Sequence, residues 1–498
     1  MSPVWLLLHC RALVDVDWGR KVTFVSFSWG IEKRLEALVR ILGSVAFAVA
    51  LFVSFQLTFS QTSGSTQAST ATQELLVVHG ARIYPVSGPA IERGVLIVRG
   101  RKIEAVGAEG KVAIPKGARG VDASGKVIIP GIVDTHSHIG IGSRPSVPAN
   151  EDVNEGTGPI QPGLRALDAI YPGDPGIRMA LAGGVTTANI MPGSGNVIGG
   201  QTAYVKLRGK TIDEMLIPGT IGGLKMANGE NPKHYGRDNQ APMTRMEIAA
   251  MARKEFIKAQ EYKRKWDDYN KKVAAGEKDA KVPDRDLELE PLVEVLEGTR
   301  IVQHHTHRAD DIMTVVRLSE EFHFRVVIHH GSESYKVADE LAKHKIPVTL
   351  TIVDSPGGKL EATQAEFEAA AILDKAGVKV AINTDDNINS SRFLLREAAL
   401  TIRGGLSETS ALRALTINGA EMLDLQNRVG TLEPGKDADF VVLSGNPFSV
   451  YTKVLETWIE GEKEFDRSRS EDLRYATGGF QIADRYPKLM QSSMGGAR

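Results

Sequence analysis

Cysteine is almost missing from this chain: Cys10 is the only one in 498 residues. Neither a disulfide framework nor a thiolate metal site can be built from it, so any metal must rest on nitrogen and oxygen ligands. Charge of one sign is not in excess either, with 60 basic residues against 61 acidic. No overall field therefore draws nucleic acid or an anionic membrane. Aromatic residues are modest in number, and no internal repeat with a period of about 20–50 residues is visible, which sets aside solenoids and propellers. Long apolar runs are confined to one place, 41–55 (ILGSVAFAVALFVSF).

That run follows Lys33, Arg34 and Arg40, and precedes small residues at Thr58 and Ser60 and a Ser/Thr/Gln-rich spacer to Gln73. The layout is that of a secretory signal peptide, which predicts export to a periplasmic or extracellular space. The competing reading is an uncleaved membrane anchor, since 41–59 nearly reaches the roughly 20 residues that span a bilayer. Residues 1–32 make a poor n-region, which argues for a true start downstream of Met1.

What the chain does have is glycine, 50 residues of it, and two β-rich flanks. Residues 75–129 read as short strands punctuated by Gly and Pro, and 429–463 repeat that texture. Strand and helix patterns alternate between them, which argues for a parallel α/β architecture. Eight apolar runs serve as candidate strands: 127–136, 185–191, 202–207, 219–226, 300–305, 325–330, 347–352 and 378–385. They span about 250 residues, the size of a (β/α)8 TIM barrel. The expected division is a leader and spacer (1–72), a first β-sandwich part (73–129), a barrel (130–424), a second sandwich part (425–470) and a tail (471–498). The charged segment 245–299 reads as a solvated helical insertion without chemistry.

PGIVDTHSH (130–138) places His136 and His138 at a strand end. Residues i and i+2 share a face, so the two imidazoles can hold one ion. Further clusters follow in order. In QHHTHR, His305 and His307 share a face and His304 opposes them. In VVIHHGSES, only one of His329 and His330 can point inward. In INTDDN, Asp385 or Asp386 closes a β-run. His305 and His330 are 25 residues apart, about one βα unit, and His330 and Asp385 are 55 apart, about two. The preferred set is His136, His138, His305, His330 and Asp385. His307 and His329 are the alternative registers, and Asp386 reads as a solvated loop carboxylate. His9, His79, His234, His323 and His344 have no such context and read as structural.

With HTHRADDI (305–312), IHHGSE (328–333), INTDD (382–386) and the closing GTLEPGKDADFVVL (430–443), residues 75–465 resemble the amidohydrolase superfamily. The likeness is strongest to its imidazolonepropionase-related branch, with the Xaa-Pro or Xaa-Arg dipeptidases. The resemblance implies a metal-dependent (β/α)8 hydrolase with an accessory discontinuous β-sandwich, whose site is His136, His138, His305, His330 and Asp385. It also implies one or two divalent ions, zinc first, iron or manganese otherwise. Members with two ions bridge them with a lysine carbamylated by CO2, and Lys225 in GGLKMANGENPK holds that position. The plain alternative is a neutral Lys225, or one paired with Glu230. Without the bridge, His136, His138, His305 and Asp385 would hold one ion while His330 bonds the attacking water.

The chain departs from the pattern at His329, where many relatives place Glu, and at ANGENPKHYGRDN (227–239), where dipeptidases continue with a glycine-rich turn. GSGNVIGGQ (193–201) lacks the Lys-Ser/Thr of a phosphate-binding loop and reads as a substrate-side loop. Lys233, Tyr235 and Arg237 could meet a polar substrate group, though each reads better as a solvated loop residue.

The expected reaction is hydrolysis of a non-peptide amide or cyclic amide C–N bond, with Asp385 as general base then acid and His330 assisting. A secreted metallo-dipeptidase comes second, a lactonase or phosphotriesterase third, and a non-catalytic metal-binding scaffold last. The expected partner is a small-molecule substrate. Membrane contact would come only through the N-terminal run, and a homo-oligomer is compatible with the sequence.

Overall fold

The computed structural model describes residues 74–478 apart from 235–240, 352–358 and 387, together with the backbone of 10–12 and 25–27. Contacts divide the chain into two units, Met1–Thr72 and Gln73–Arg498. In the first, β1 (Cys10–Ala12) pairs antiparallel with β2 (Val25–Phe27). The leader-like run and its basic flank lie outside the described residues. Among the described residues no helix is long and apolar enough to cross a membrane.

In the second unit the two flanks meet in one eight-stranded sheet. The first flank supplies β3 (Leu75–Ile83), β4 (Ile91–Arg99), β5 (Lys102–Ala108), β6 (Arg119–Asp122) and β7 (Val127–Pro130). Later strands supply β17 (Phe440–Leu443), β18 (Val454–Ile459) and β19 (Glu462–Asp466). The joint is antiparallel: Val127, Ile128 and Ile129 of β7 face Leu443, Val442 and Val441 of β17. These are β-branched or apolar residues buried on both faces, the composition a covered strand requires.

The metal-motif strands lie elsewhere. One sheet of six has the order β10 (Ile198–Gln201), β12 (Leu224–Ala227), β13 (Val302–Thr306), β14 (Val326–His330), β15 (Val348–Thr351) and β16 (Val380–Asn383). From β12 to β16 every neighbour is parallel. A second sheet holds β11 (Ala203–Lys206), β9 (Val185–Ile190) and β8 (Ile132–Ser137). The ends of β8 and β16 are joined by a parallel bridge, Ser137 to Asp386, with the Asp385 N–H donating to the His136 carbonyl at 2.9 Å.

Three expectations need correction. The run 127–136 is not one strand: it breaks at Gly131, so that β7 belongs to the flank sheet and β8 to the metal-motif sheet. A Cβ at Gly131 would lie 2.2 Å from the Thr186 hydroxyl, so only glycine lets the chain pass between the two sheets there. The run 202–207 does form β11, but antiparallel to β9. Part of the glycine-rich segment, Ile198–Gln201, is a strand antiparallel to β12 rather than loop.

The charged segment 245–299 opens with a 30-residue helix, Arg245–Ala274, capped by the Thr244 hydroxyl, and a second helix, Glu290–Leu296, follows. The polar face of the first is solvated, while Ile248, Ala252, Phe256, Ala259 and Tyr262 are buried. Phe256 stacks on Phe322 and Phe324, ring centroids 5.1 and 5.0 Å away.

Candidate metal centre

All five preferred ligands come together where β8, β13, β14 and β16 end. His136 and His138 leave β8 on one face as the i, i+2 spacing requires. Their Nε2 atoms lie 3.4 and 3.0 Å from Asp385 Oδ1, and the three residues can offer ligand atoms within 4.8 Å of one another. The His138 Nδ1–H donates to the Met191 carbonyl at 2.7 Å, which leaves Nε2 as the free lone pair. His136 is set by a longer relay. Its Nδ1 lies 3.1 Å from His329 Nδ1, and His329 Nε2 lies 2.7 Å from Gln303 Oε1. His329 thus contacts the outer nitrogen of His136.

Asp134, buried in the same motif, accepts from the backbone N–H and hydroxyl of Thr384. That anchors the residue before Asp385, whose backbone is left-handed (φ 47°). Burial pushes the Asp134 carboxyl up to about 7, against these hydrogen bonds. Asp386 is no solvated carboxylate: it is buried, pairs with Arg144 and accepts from the Ser391 N–H and hydroxyl at 2.7 and 2.6 Å. Chain reversal after Asp385 turns it inward, where it fastens the loop.

The second cluster is His305, His307 and His330, all buried, with ligand atoms again within 4.8 Å. His305 and His307 share a face, their rings 4.7 Å apart. His304 bonds the His305 carbonyl through Nδ1. The expectation that only one of His329 and His330 faces inward fails. Both rings lie against His136, at 4.8 and 4.9 Å. Alternation presumes β dihedrals, and His330 has φ 69°, which swings its ring back to the side that His329 occupies. Left-handed φ at both His330 and Asp385 puts backbone strain at the site itself.

Lys225, on β12, is fully buried, with Nζ 3.1 Å from His136 Nε2 and 3.4 Å from Met191 Sδ. Among the described residues it forms no ion pair with Glu230. Burial pushes its ammonium down to about 7, partly opposed by Asp385. Burial likewise holds His136, His305, His329 and His330 well below the usual imidazole range, and His304 and His307 down to about 3. Neutral imidazole is the form that ligates. Among the described residues the Nε2 atoms of His305, His307 and His330 are buried without a hydrogen-bond partner. Neutral nitrogens aimed at one another beside a carboxylate suit a divalent cation, so these residues fit the metal that the resemblance implies.

Above the centre opens a cavity of about 630 Å³, lined among others by His138, Asn154, Ser194, Glu230, Lys359 and Asp385. Glu230 Oε1 is buried and without a hydrogen-bond partner among the described residues. Lys359 forms no ion pair among the described residues. His234, read as structural, also lines the cavity, as do Gly193 and Gly195 of the glycine-rich segment. Lys233 lies away from the lining, and Tyr235 and Arg237 lie outside the described residues. Ser194, Ser332, Gln303 and Lys359 were given no role by the sequence, and Glu230 only that of a possible partner for Lys225. Gln303 in QHHTHR, Ser332 in VVIHHGSES and Ser194 in GSGNVIGGQ lay inside segments the sequence singled out, whereas Lys359 had no such signal.

Residues 127–468 match the model of the Amidohydrolase family. The amidohydrolase tasK of Hapsidospora irregularis is 31% identical over 394 residues, 76% of this chain and 39% of that one. The imidazolonepropionase of Porphyromonas gingivalis (strain ATCC 33277) is 36% identical over 83 residues, 16% of this chain and 20% of that one. This chain thus spans about two fifths of the length of tasK and a fifth of that imidazolonepropionase. Among solved structures, an amidohydrolase from Thermotoga maritima MSB8 is 39% identical with a TM-score of 0.74, covering 79% of this chain and 100% of that one. With the match running from β7 to β19 and enclosing every histidine of both clusters, this chain belongs to the Amidohydrolase family.

Proposed function

We propose that the protein is a metal-dependent hydrolase of amide-like C–N bonds, and the observation that carries this is the convergence of His136, His138, Asp385, Lys225, His305 and His330 beneath one cavity. In this reading the metal-motif sheets form a (β/α)8 barrel, joined where β8 meets β16, and the flank sheet belongs to a discontinuous sandwich. His136, His138 and Asp385 would hold one ion and His305 and His330 a second, with Lys225 between them as a carbamate. The imidazole-rich donor set favours zinc. A divalent ion bound there supplies Lewis acidity and brings the pKa of water to about 7.

The remaining work falls to the protein. Asp385 takes the proton of the attacking water and delivers it to the leaving nitrogen, so that a C–O bond forms as the C–N bond breaks. Where only one ion is held, His330 is free of it and donates toward the oxygen that gains charge at the carbonyl carbon. Burial keeps the imidazoles neutral and excludes bulk water. Export through 41–60 is part of the proposal, supported by the apolar run and its basic flank; sequencing the mature N-terminus tests it.

A secreted dipeptidase is the second reading, and one observation favours it. Glu230 and Lys359 line the same cavity, a carboxylate and an ammonium suited to the two ends of a zwitterion. The deciding experiment assays metal-loaded protein on hydantoins and other cyclic amides, free dipeptides, lactones and phosphotriesters. Turnover of cyclic amides supports the first reading and turnover of dipeptides the second. Metal-loaded protein inert on all four classes points to a scaffold.

A further inference from the structure

We infer that His307 is a third imidazole ligand of the second cation site, making that site a three-histidine one; this rests on the metal-dependent reading above. Three observations carry it. The His307 ring lies 4.7 Å from that of His305 and 5.0 Å from that of His330, with His305 and His330 4.2 Å apart. No one of the three is an outlier from the group. All three Nε2 atoms are buried and, among the described residues, without a hydrogen-bond partner, and a ring nitrogen in that condition is rare unless something binds it.

The third observation concerns the other ring nitrogen. Histidines that ligate metals almost always have it engaged, which fixes the tautomer and aims the free nitrogen. Ser194 Oγ lies 2.9 Å from His305 Nδ1, and Ser332 Oγ lies 2.8 Å from His307 Nδ1. Ser332 reaches His307 because the chain turns back after β14: His330 and Gly331 have φ of 69° and 50°, and the Glu333 N–H donates to the His307 carbonyl at 2.9 Å. A histidine that merely filled core space would need no such hold. Ser332 is therefore a positioning residue for His307. Three neutral nitrogens select a borderline ion such as Zn²⁺ or Co²⁺ over Mg²⁺ or Ca²⁺.

The test titrates metal-free full chain with Co²⁺, counting bound ions after dialysis and following the visible absorption band of the bound metal. His307→Ala, His307→Gln and Ser332→Ala are compared with wild type, with circular dichroism to confirm folding. Wild type should bind two Co²⁺. Both His307 variants should keep one and bind the second at least ~100-fold more weakly. Ser332→Ala should weaken it about 10–100-fold. Two ions at unchanged affinity in folded His307 variants would overturn the inference, as would a single wild-type ion that both variants retain. A wild type binding two Co²⁺ but inert on every amide defeats the hydrolase reading and leaves this site standing. A wild type that binds none defeats both.

Discussion

Asp385 is the residue on which the proposed chemistry turns, since it touches both histidines of the first cluster and lines the cavity. Asp385→Asn keeps one oxygen for the metal but cannot carry a proton. The expected outcome is full metal content with kcat lowered by about 10²–10⁴, checked by metal analysis beside steady-state kinetics. An unchanged kcat removes Asp385 from the proton path. Residue types and spacing were enough to bring His136, His138, His305, His330 and Asp385 to attention, because ligands at strand ends repeat with the βα unit. The orientations of His330 and Asp386 were not legible. Both depend on a left-handed residue at a strand end, and strand alternation says nothing past the last β dihedral.

Elements carry a different lesson, seen at Gly131. An unbroken apolar run reads as one strand, yet β7 and β8 serve different sheets and the switch needs a residue without a side chain. Gly131→Ala would force the buried Thr186 aside. A loss of about 1–3 kcal/mol is expected, measured by urea unfolding monitored at two wavelengths. No loss would mean that the two strands move apart freely. The strands β10 and β11 were harder still to read. Periodicity shows that a segment is extended, but direction relative to a neighbour is set by the connection, and here the chain returns along β9 after the short link 191–197.

For the whole molecule the decisive contact is Lys206. This fully buried lysine of β11 pairs with Asp437, at 2.9 Å, and with Asp439, both just before β17. It ties the metal-motif sheets to the flank sheet and gives the DAD of GTLEPGKDADFVVL a structural purpose. Lys206→Met leaves the buried Asp439 without its cation, while Asp437 keeps Lys102 and Arg428, and should cost about 3–5 kcal/mol, read from thermal or denaturant unfolding. Metal should act on the same scale. A cation that binds only the folded chain adds about 2.7 kcal/mol at a hundredfold excess over Kd. Chelation should therefore lower Tm and Zn²⁺ should restore it, with the midpoint tracked by calorimetry; a Tm indifferent to both would mean that the clusters hold no ion.

From the sequence alone came most element types, the flanks, the order of the histidine- and aspartate-bearing segments and the family, because these follow from local periodicity and from motifs a few residues long. Tertiary structure alone decided which imidazoles face one another, that Ser194 and Ser332 hold two of them, and that Glu230 and Lys359 share a cavity with Asp385. Those facts join residues far apart in the chain, or turn on a single positive φ. No pattern of residue types along a chain specifies either.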